Sequence, residues 1–166
     1  MSTATSAGIS PRLTVEEVWR TLDKHSFAVM SHVTASGEPR SSGVVYGTNG
    51  RRLLVVVAAS SWKARTIAEG QLVALTVPVR RGGLLSLLFP IPPAAISFGA
   101  RAHVGEPCPL DRDSLPPRFA RLLPPTHDLS CVIELTPQGH FLTYGIGVSM
   151  MAMRDPEVAL ARVPVA

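Results

Sequence analysis

The chain has 166 residues, a formal net charge of +4 and 46% hydrophobic residues, enough for one domain with a real core. Its aromatics are only 5% and its cations are dispersed, which argues against the clustered, aromatic-interleaved surface of a nucleic-acid binder; charged residues at 17% fall below the usual figure of about a quarter and leave apolar surface for a substrate cavity or a homodimer interface. Cys108 and Cys131 have neither metal spacing nor a CxxC arrangement, the first eleven residues lack a basic stretch followed by an apolar one, and Pro90, Pro92 and Pro93 interrupt the longest uncharged window, so the expectation is a cytoplasmic protein without a transmembrane segment.

In chain order, residues 1–12 read as a flexible arm rich in Ser, Thr, Ala and Gly. Thr14 with Glu17 fits a capping box, and Leu13 with Val18 a hydrophobic staple. Val15, Val18, Trp19 and Leu22 then form the apolar face of a first helix. Strands are expected at 27–34 and 40–48, joined by Ala35-Ser36-Gly37-Glu38. Asn49-Gly50 is a type I′ hairpin signal leading to a third strand at 52–59.

That apolar strand delivers the chain into Ser60-Ser61-Trp62-Lys63-Ala64-Arg65, the start of a helix expected at 61–69 and closed by Gly70. The first amides of a helix lack internal partners, and its dipole favours negative charge there. Ser60 or Ser61 can cap the helix and also donate to an anion. Lys63, one of two lysines against fourteen arginines, is a compact charge, and Arg65 can bind bidentately. The stretch is a candidate seat for a cofactor phosphate. Residues 63 and 65 do not share a helix face, so they converge on one anion only if the turn is irregular or Arg40 supplies the second cation. The plainer alternatives are solvated cations at Lys63 and Arg65 and an exposed strand cation at Arg40. Gly43, inside a strand, marks either the close approach of a ligand or backbone, or a bulge.

Further on, strands are expected at 72–79 and 95–104. Between them, 82–93 is Leu-rich and then Pro-rich, a lid or else a dimer interface or core. A proline-rich segment at 107–125 leaves room for one short helix, 117–122. Strands at 130–135 and 140–148 flank a turn at 137–139. The domain plan is an arm at 1–12, a cofactor-binding domain at 13–148 and a tail at 149–166, with a short helix starting at Asp155-Pro156. Six or seven alternating strands with a few short helices predict a mainly β protein, a closed barrel with helical caps.

Three stretches, FAVMSHVTASGEPRSSGVVYGTNG, LLVVVAASSWKARTIAEGQLVALTV and ISFGARAHV, resemble in order and spacing the FMN-binding split β-barrel family. That family includes pyridoxamine 5′-phosphate oxidase and the flavin/deazaflavin-dependent oxidoreductases of actinobacterial type, and the resemblance spans residues 14–144. It implies a six-stranded antiparallel split barrel, Greek-key-like, that forms a homodimer with two cofactor sites at the interface. It implies FMN or the deazaflavin coenzyme F-420 as cofactor, with the phosphate held at Ser60, Ser61, Lys63 and Arg65 beside Trp62. The ring system would lie along Arg40, Ser41, Ser42, Gly43 and Val44.

The arginine-rich C-terminal segment of the oxidase is not evident; the tail reads GIGVSMMAMRDP. With Leu84, Leu85, Leu87, Leu88, Phe89 and Ile91, this points to a small or lipid-like apolar substrate. The implied activity is hydride transfer, in which the cofactor carries the hard chemistry. Neither G-x-S-x-G nor H-E-x-x-H is present, and no catalytic residue is assigned; Tyr46, His103 or solvent are the available proton sources. The alternatives are a haem-binding split barrel, with an axial ligand from His32, His103 or His140, and a non-catalytic FMN-, deazaflavin- or lipid-binding protein.

Overall fold

A computed structural model describes residues 13–80, 94–125, 128–149 and 151–166; the expected arm at 1–12 and the lid at 82–93 lie outside the described residues. The chain opens with helix α1 (Val15–Lys24), capped as its sequence predicts. The Thr14 hydroxyl accepts from the Glu17 amide, and the Glu17 carboxylate accepts from the Thr14 amide. The helix buries Val18, Trp19 and Leu22.

The strands are β1 (Phe27–Val33), β2 (Pro39–Asn49), β3 (Arg52–Ala58), β4 (Leu72–Val79), β5 (Ala94–Val104), β6 (Ser130–Tyr144) and β7 (Leu160–Pro164). Their order is β3-β2-β1-β4-β5-β6, and β3 also pairs with β6. Six antiparallel strands therefore close into a barrel, with β7 added beside β6. Alternation sends Ala28, Met30, Val55, Leu75, Ile96 and Leu135 into one core, the period-2 consequence of the pleat. The described residues also form three short α-helices, α2 (Trp62–Thr66), α3 (Pro117–Ala120) and α4 (Pro156–Ala159), and one 3-10 turn at Ala152–Arg154.

The structure corrects several expectations. The strands expected at 130–135 and 140–148 are one strand, β6, because the presumed turn is a bulge: Ser97 pairs with Leu142 but Gly99 with Gln138. Gly139, at φ 70°, takes the left-handed conformation this needs. The Asn49-Gly50 hairpin is not type I′. Asn49 pairs with Arg52, and Gly50 alone has positive φ, 61°, so the loop is Gly50–Arg51 with glycine first, the pattern of a II′ turn. Helix α2 stops at Thr66; Gly70 instead sits at φ 72° in the tight turn closed by the Gln71 amide on the Ala68 carbonyl. The tail supplies β7, whose residues carry no strand signal in sequence but pair with the second half of β6.

Two features position the rest. Residues between β5 and β6 fold back over the outer face of β3, where Leu115, Phe119 and Leu123 pack on Leu54. This cover explains why β3 reads as apolar on both faces. The segment is tied by Arg112, which donates to the carbonyls of Ala120, Leu123 and Pro124. The second feature is a split: β2 pairs with β1 along Pro39–Val45, but with β3 only from Tyr46 to Asn49. Among the described residues, no helix is long and apolar enough to cross a membrane.

Candidate functional site

Among the described residues, the split leaves one edge of β2 without a strand partner beside α2. The Tyr46 amide donates to the Ser26 carbonyl at 2.8 Å, which fixes the hydrogen-bonding phase of the β1–β2 ladder. In an antiparallel pair, residues alternate between facing the partner strand and facing away. With Phe27 opposite Val45 and Ser31 opposite Ser41, the main-chain groups of Arg40, Ser42 and Val44 turn toward β1. Those of Ser41 and Gly43 turn toward the open edge. Side chains divide by the same period: Val44 is buried inward, Ser41 lies outward, and Ser42 has a buried Oγ without a hydrogen-bond partner.

At this edge lies a cleft of about 860 Å³. One wall comes from the β1–β2 connection and the start of β2, including Thr34, Ser36, Glu38, Arg40 and Ser41; the other comes from Trp62, Arg65, Thr66 and Ala68. Arg40 is held by Glu38 at 2.7 Å, with both side chains mostly exposed. Trp62 is 37% exposed, with the His32 ring stacked on it and the Lys63 Nζ over its ring, so a ligand in the cleft meets part of the indole or displaces the lysine. The Ser41 hydroxyl lies 2.6 Å from that of Ser31.

The candidate residues divide accordingly. Arg40, Ser41, Trp62 and Arg65 line one cleft. Ser61 caps α2, its hydroxyl accepting from the Ala64 amide at 3.3 Å. Lys63 stands over the Trp62 ring, with Nζ 5.1 Å from the centroid, and is not among the cleft-lining residues. Ser60 is exposed at the turn before α2. Gly43 is further along β2, where a Cβ would stand 2.8 Å from the Phe27 ring.

Sequence reading missed Glu38, Thr66 and the contacts of His32 with α2. His32 is 5% exposed, and its Nε2 is 3.0 Å from the Thr66 hydroxyl. Its ring stacks on Trp62 at 5.5 Å between centroids and 18° between planes. Burial, and then the Arg40 charge, hold its pKa below the ordinary histidine value. The signal in the sequence was its parity: it continues the inward series of Ala28 and Met30.

Of the sequence's proton sources, Tyr46 is unsuited. It is 1% exposed, its hydroxyl donates to the Leu22 carbonyl at 2.9 Å, and burial followed by the Asp23 charge pushes its pKa far up. His103 is exposed, with Nδ1 2.6 Å from a Glu69 carboxylate oxygen, a contact that raises its pKa. The His140 Nδ1 accepts from Arg162 at 3.3 Å. Among the described residues, no group of three or more His, Cys, Asp or Glu is arranged to hold a metal ion.

No protein-family model and no curated protein matches the sequence. Solved structures do. HutZ, the haem storage protein from Vibrio cholerae, is 17% identical with a TM-score of 0.59, over 80% of this chain and 96% of that one. A candidate pyridoxamine 5′-phosphate oxidase from Listeria innocua is 14% identical with a TM-score of 0.55, over 75% and 93%. An F-420 reductase is 17% identical with a TM-score of 0.51, over 74% and 93%. The structural neighbours are thus pyridoxamine 5′-phosphate oxidase-like split-barrel proteins, and the fold is theirs. They include flavin-type oxidoreductases as well as haem proteins.

Proposed function

We propose that the protein binds FMN or the deazaflavin coenzyme F-420 in the Arg40–Trp62–Arg65 cleft and acts as an oxidoreductase on a small or lipid-like apolar substrate. The observation that carries this reading is the meeting, in one cleft, of a strand edge that no described strand pairs with, two arginines and a partly exposed indole. The residues fit such a group. Arg40 and Arg65 offer bidentate cationic donors to a phosphate, with Lys63, Ser60 and Ser61 adjacent in the chain. The open edge offers main-chain amides and carbonyls at Ser41 and Gly43, and Gly43 brings no side chain to cover them. Trp62 supplies apolar surface to the cleft wall once Lys63, now over its ring, turns to the phosphate. When bound, the cofactor supplies the hydride chemistry; the chain binds, orients and shields it.

The same reading includes a homodimer. The outer face of β2, β1 and β4 exposes Phe27, Val33, Val45 and Leu72. Its hydroxyls satisfy one another: Ser31 with Ser41 at 2.6 Å, and Thr76 with Ser97 on the adjoining β5 at 3.0 Å. Such a face presents apolar side chains to a second copy with these hydroxyl oxygens already in contact with one another, which lowers the cost of dehydrating it. Sedimentation of the purified chain tests this, and a monomer at all concentrations would exclude it.

The cofactor assignment is tested by fluorescence titration with FMN and, separately, with the deazaflavin. Micromolar or tighter binding of one is expected. Arg40→Ala with Arg65→Ala should weaken it by roughly 2–4 kcal/mol, the worth of charge-assisted bonds, without loss of fold. Unchanged affinity in the double variant sinks the site, and failure of both cofactors to bind sinks the assignment. One observation favours a haem reading as the second choice. Glu69 holds His103 through Nδ1 and leaves Nε2 outward, the arrangement of many metal-ligating histidines. A Soret band after haem addition that disappears in His103→Ala would establish it.

A further inference from the structure

We infer that His32 is a positioning residue that locks Trp62 and Thr66 into one rigid wall of the cleft, through an imidazole fixed in its neutral Nε2–H form. The proton placement follows from the hydrogen bonds. The Thr66 hydroxyl lies 2.8 Å from the Trp62 carbonyl and donates to it, because a carbonyl only accepts. Its single proton is thereby committed. The His32 Nε2, 3.0 Å from the same oxygen, must then be the donor, or two acceptors would face each other. Nδ1 is left as the bare nitrogen, and it is buried without a hydrogen-bond partner. Adding a second proton there would bury a charge with no acceptor, beside the Arg40 cation.

One ring therefore makes two contacts with α2, a hydrogen bond to its last residue and a stack on its first. Helix α2 has five residues, too short to hold its own geometry in water, so its shape depends on what it rests upon. The buried Ile67 at its C-cap anchors one end in the core, and His32, standing on β1 inside the barrel, supports Trp62 and Thr66. Both residues that it holds line the cleft. That the cleft is a ligand site rests on the reading above; that His32 sets its wall does not.

The test separates the two. The full chain, labelled with 5-fluorotryptophan, gives two fluorine resonances, from Trp19 in the core and Trp62 in the cleft, assigned with Trp19→Phe. In His32→Ala the Trp62 resonance should shift, and its solvent-isotope effect should at least double, while that of Trp19 stays in place and reports an intact barrel. His32→Gln restores a donor without the ring, and His32→Phe a ring without the donor; each should recover part of the wild-type Trp62 signal. Should His32→Ala fail to fold, Thr66→Val breaks the same hydrogen bond from the helix side and should move Trp62 in the same sense. With FMN as the probe, affinity should fall about tenfold in His32→Ala and recover partly in the Gln and Phe variants. A Trp62 resonance unchanged in both His32→Ala and Thr66→Val would overturn the inference. Wild-type protein that binds no FMN while the Trp62 resonance still responds would overturn only the FMN reading and leave His32 in its role.

Discussion

Strand β2 runs between two unlike environments. Its Tyr46 end is closed: the Tyr46 hydroxyl is bonded to α1, Gly47 lies against Phe119, and β3 pairs alongside. Its Arg40 end is open: no described strand pairs on one side, and among the described residues Ser42 Oγ and the neighbouring His32 Nδ1 are buried without a hydrogen-bond partner. Native interiors rarely leave such atoms unsatisfied. The contrast is between a part of the strand packed on both sides and a part with one edge that no described strand covers.

Two glycines give the largest expected effect. A Cβ on Gly47 would stand 2.4 Å from the Phe119 Cβ and Cγ, atoms near the backbone of a buried residue that cannot swing away. Gly47→Ala should cost about 3 kcal/mol, the upper range for overpacking, read as a lower denaturation midpoint. At Gly43 the nearest atom is the far edge of the Phe27 ring, which is 49% exposed and free to turn. Gly43→Ala should leave stability within about 0.5 kcal/mol, as for ordinary surface changes, while lowering cofactor affinity if the open edge faces the ligand. Equal stability losses would erase the distinction between the ends.

Local signals carried much of this into the sequence. The capping box of α1, the limits of β4 and the strand leading into Ser60–Arg65 were legible because each depends on neighbours in the chain. Arg40 and Arg65 were individually visible as candidates, and their shared cleft was raised only as one of two ways to complete an anion seat. What was hidden is long-range. The β1–β2 connection meets α2 through closure of the barrel, and no spacing announces that Glu38 or Thr66 will face the same space. The β6 bulge was mistaken for a turn because Pro137-Gln138-Gly139 has turn chemistry, and only pairing with β5 on the flank carries the strand through. β7 was missed because its short segment gains strand geometry from β6.

Inward-facing polar atoms on β2 sharpen the comparison with a smaller effect. Tyr46→Phe removes a made hydrogen bond and should cost about 1 kcal/mol; the Leu22 carbonyl keeps the His25 amide at 3.1 Å and is not orphaned. Ser42→Ala removes a buried hydroxyl that has no partner. It should be neutral or stabilising by roughly 1 kcal/mol, since only the burial penalty is lost. Chemical denaturation of the two variants decides. A loss at Ser42 as large as that at Tyr46 would mean that its hydroxyl is satisfied and the open end is not under-bonded.

The smallest effects are those of pH, and the two ends differ there in sign. His32, at the open end, has a folded pKa held below 6.5 by burial and then by Arg40. The unfolded chain takes up that proton more readily, so the contribution of His32 is present above about pH 6.5 and is lost as pH falls toward its depressed value. His103, latched to Glu69 where the α2–β4 connection meets β5, has a raised pKa, through its hydrogen bond to Glu69 and then the charge of that carboxylate. Its contribution is complete below about pH 6.5 and is lost as pH rises through the raised value. Thermal melts from pH 5 to 9 should therefore show His32→Gln flattening the profile below about pH 6.5, and His103→Gln flattening it from about pH 6.5 upward. The second change should be the smaller, because the His103–Glu69 pair is well exposed and screened, and it should shrink further in high salt. If both substitutions acted on the same side of neutrality, the two imidazoles would not occupy the opposite environments described for them.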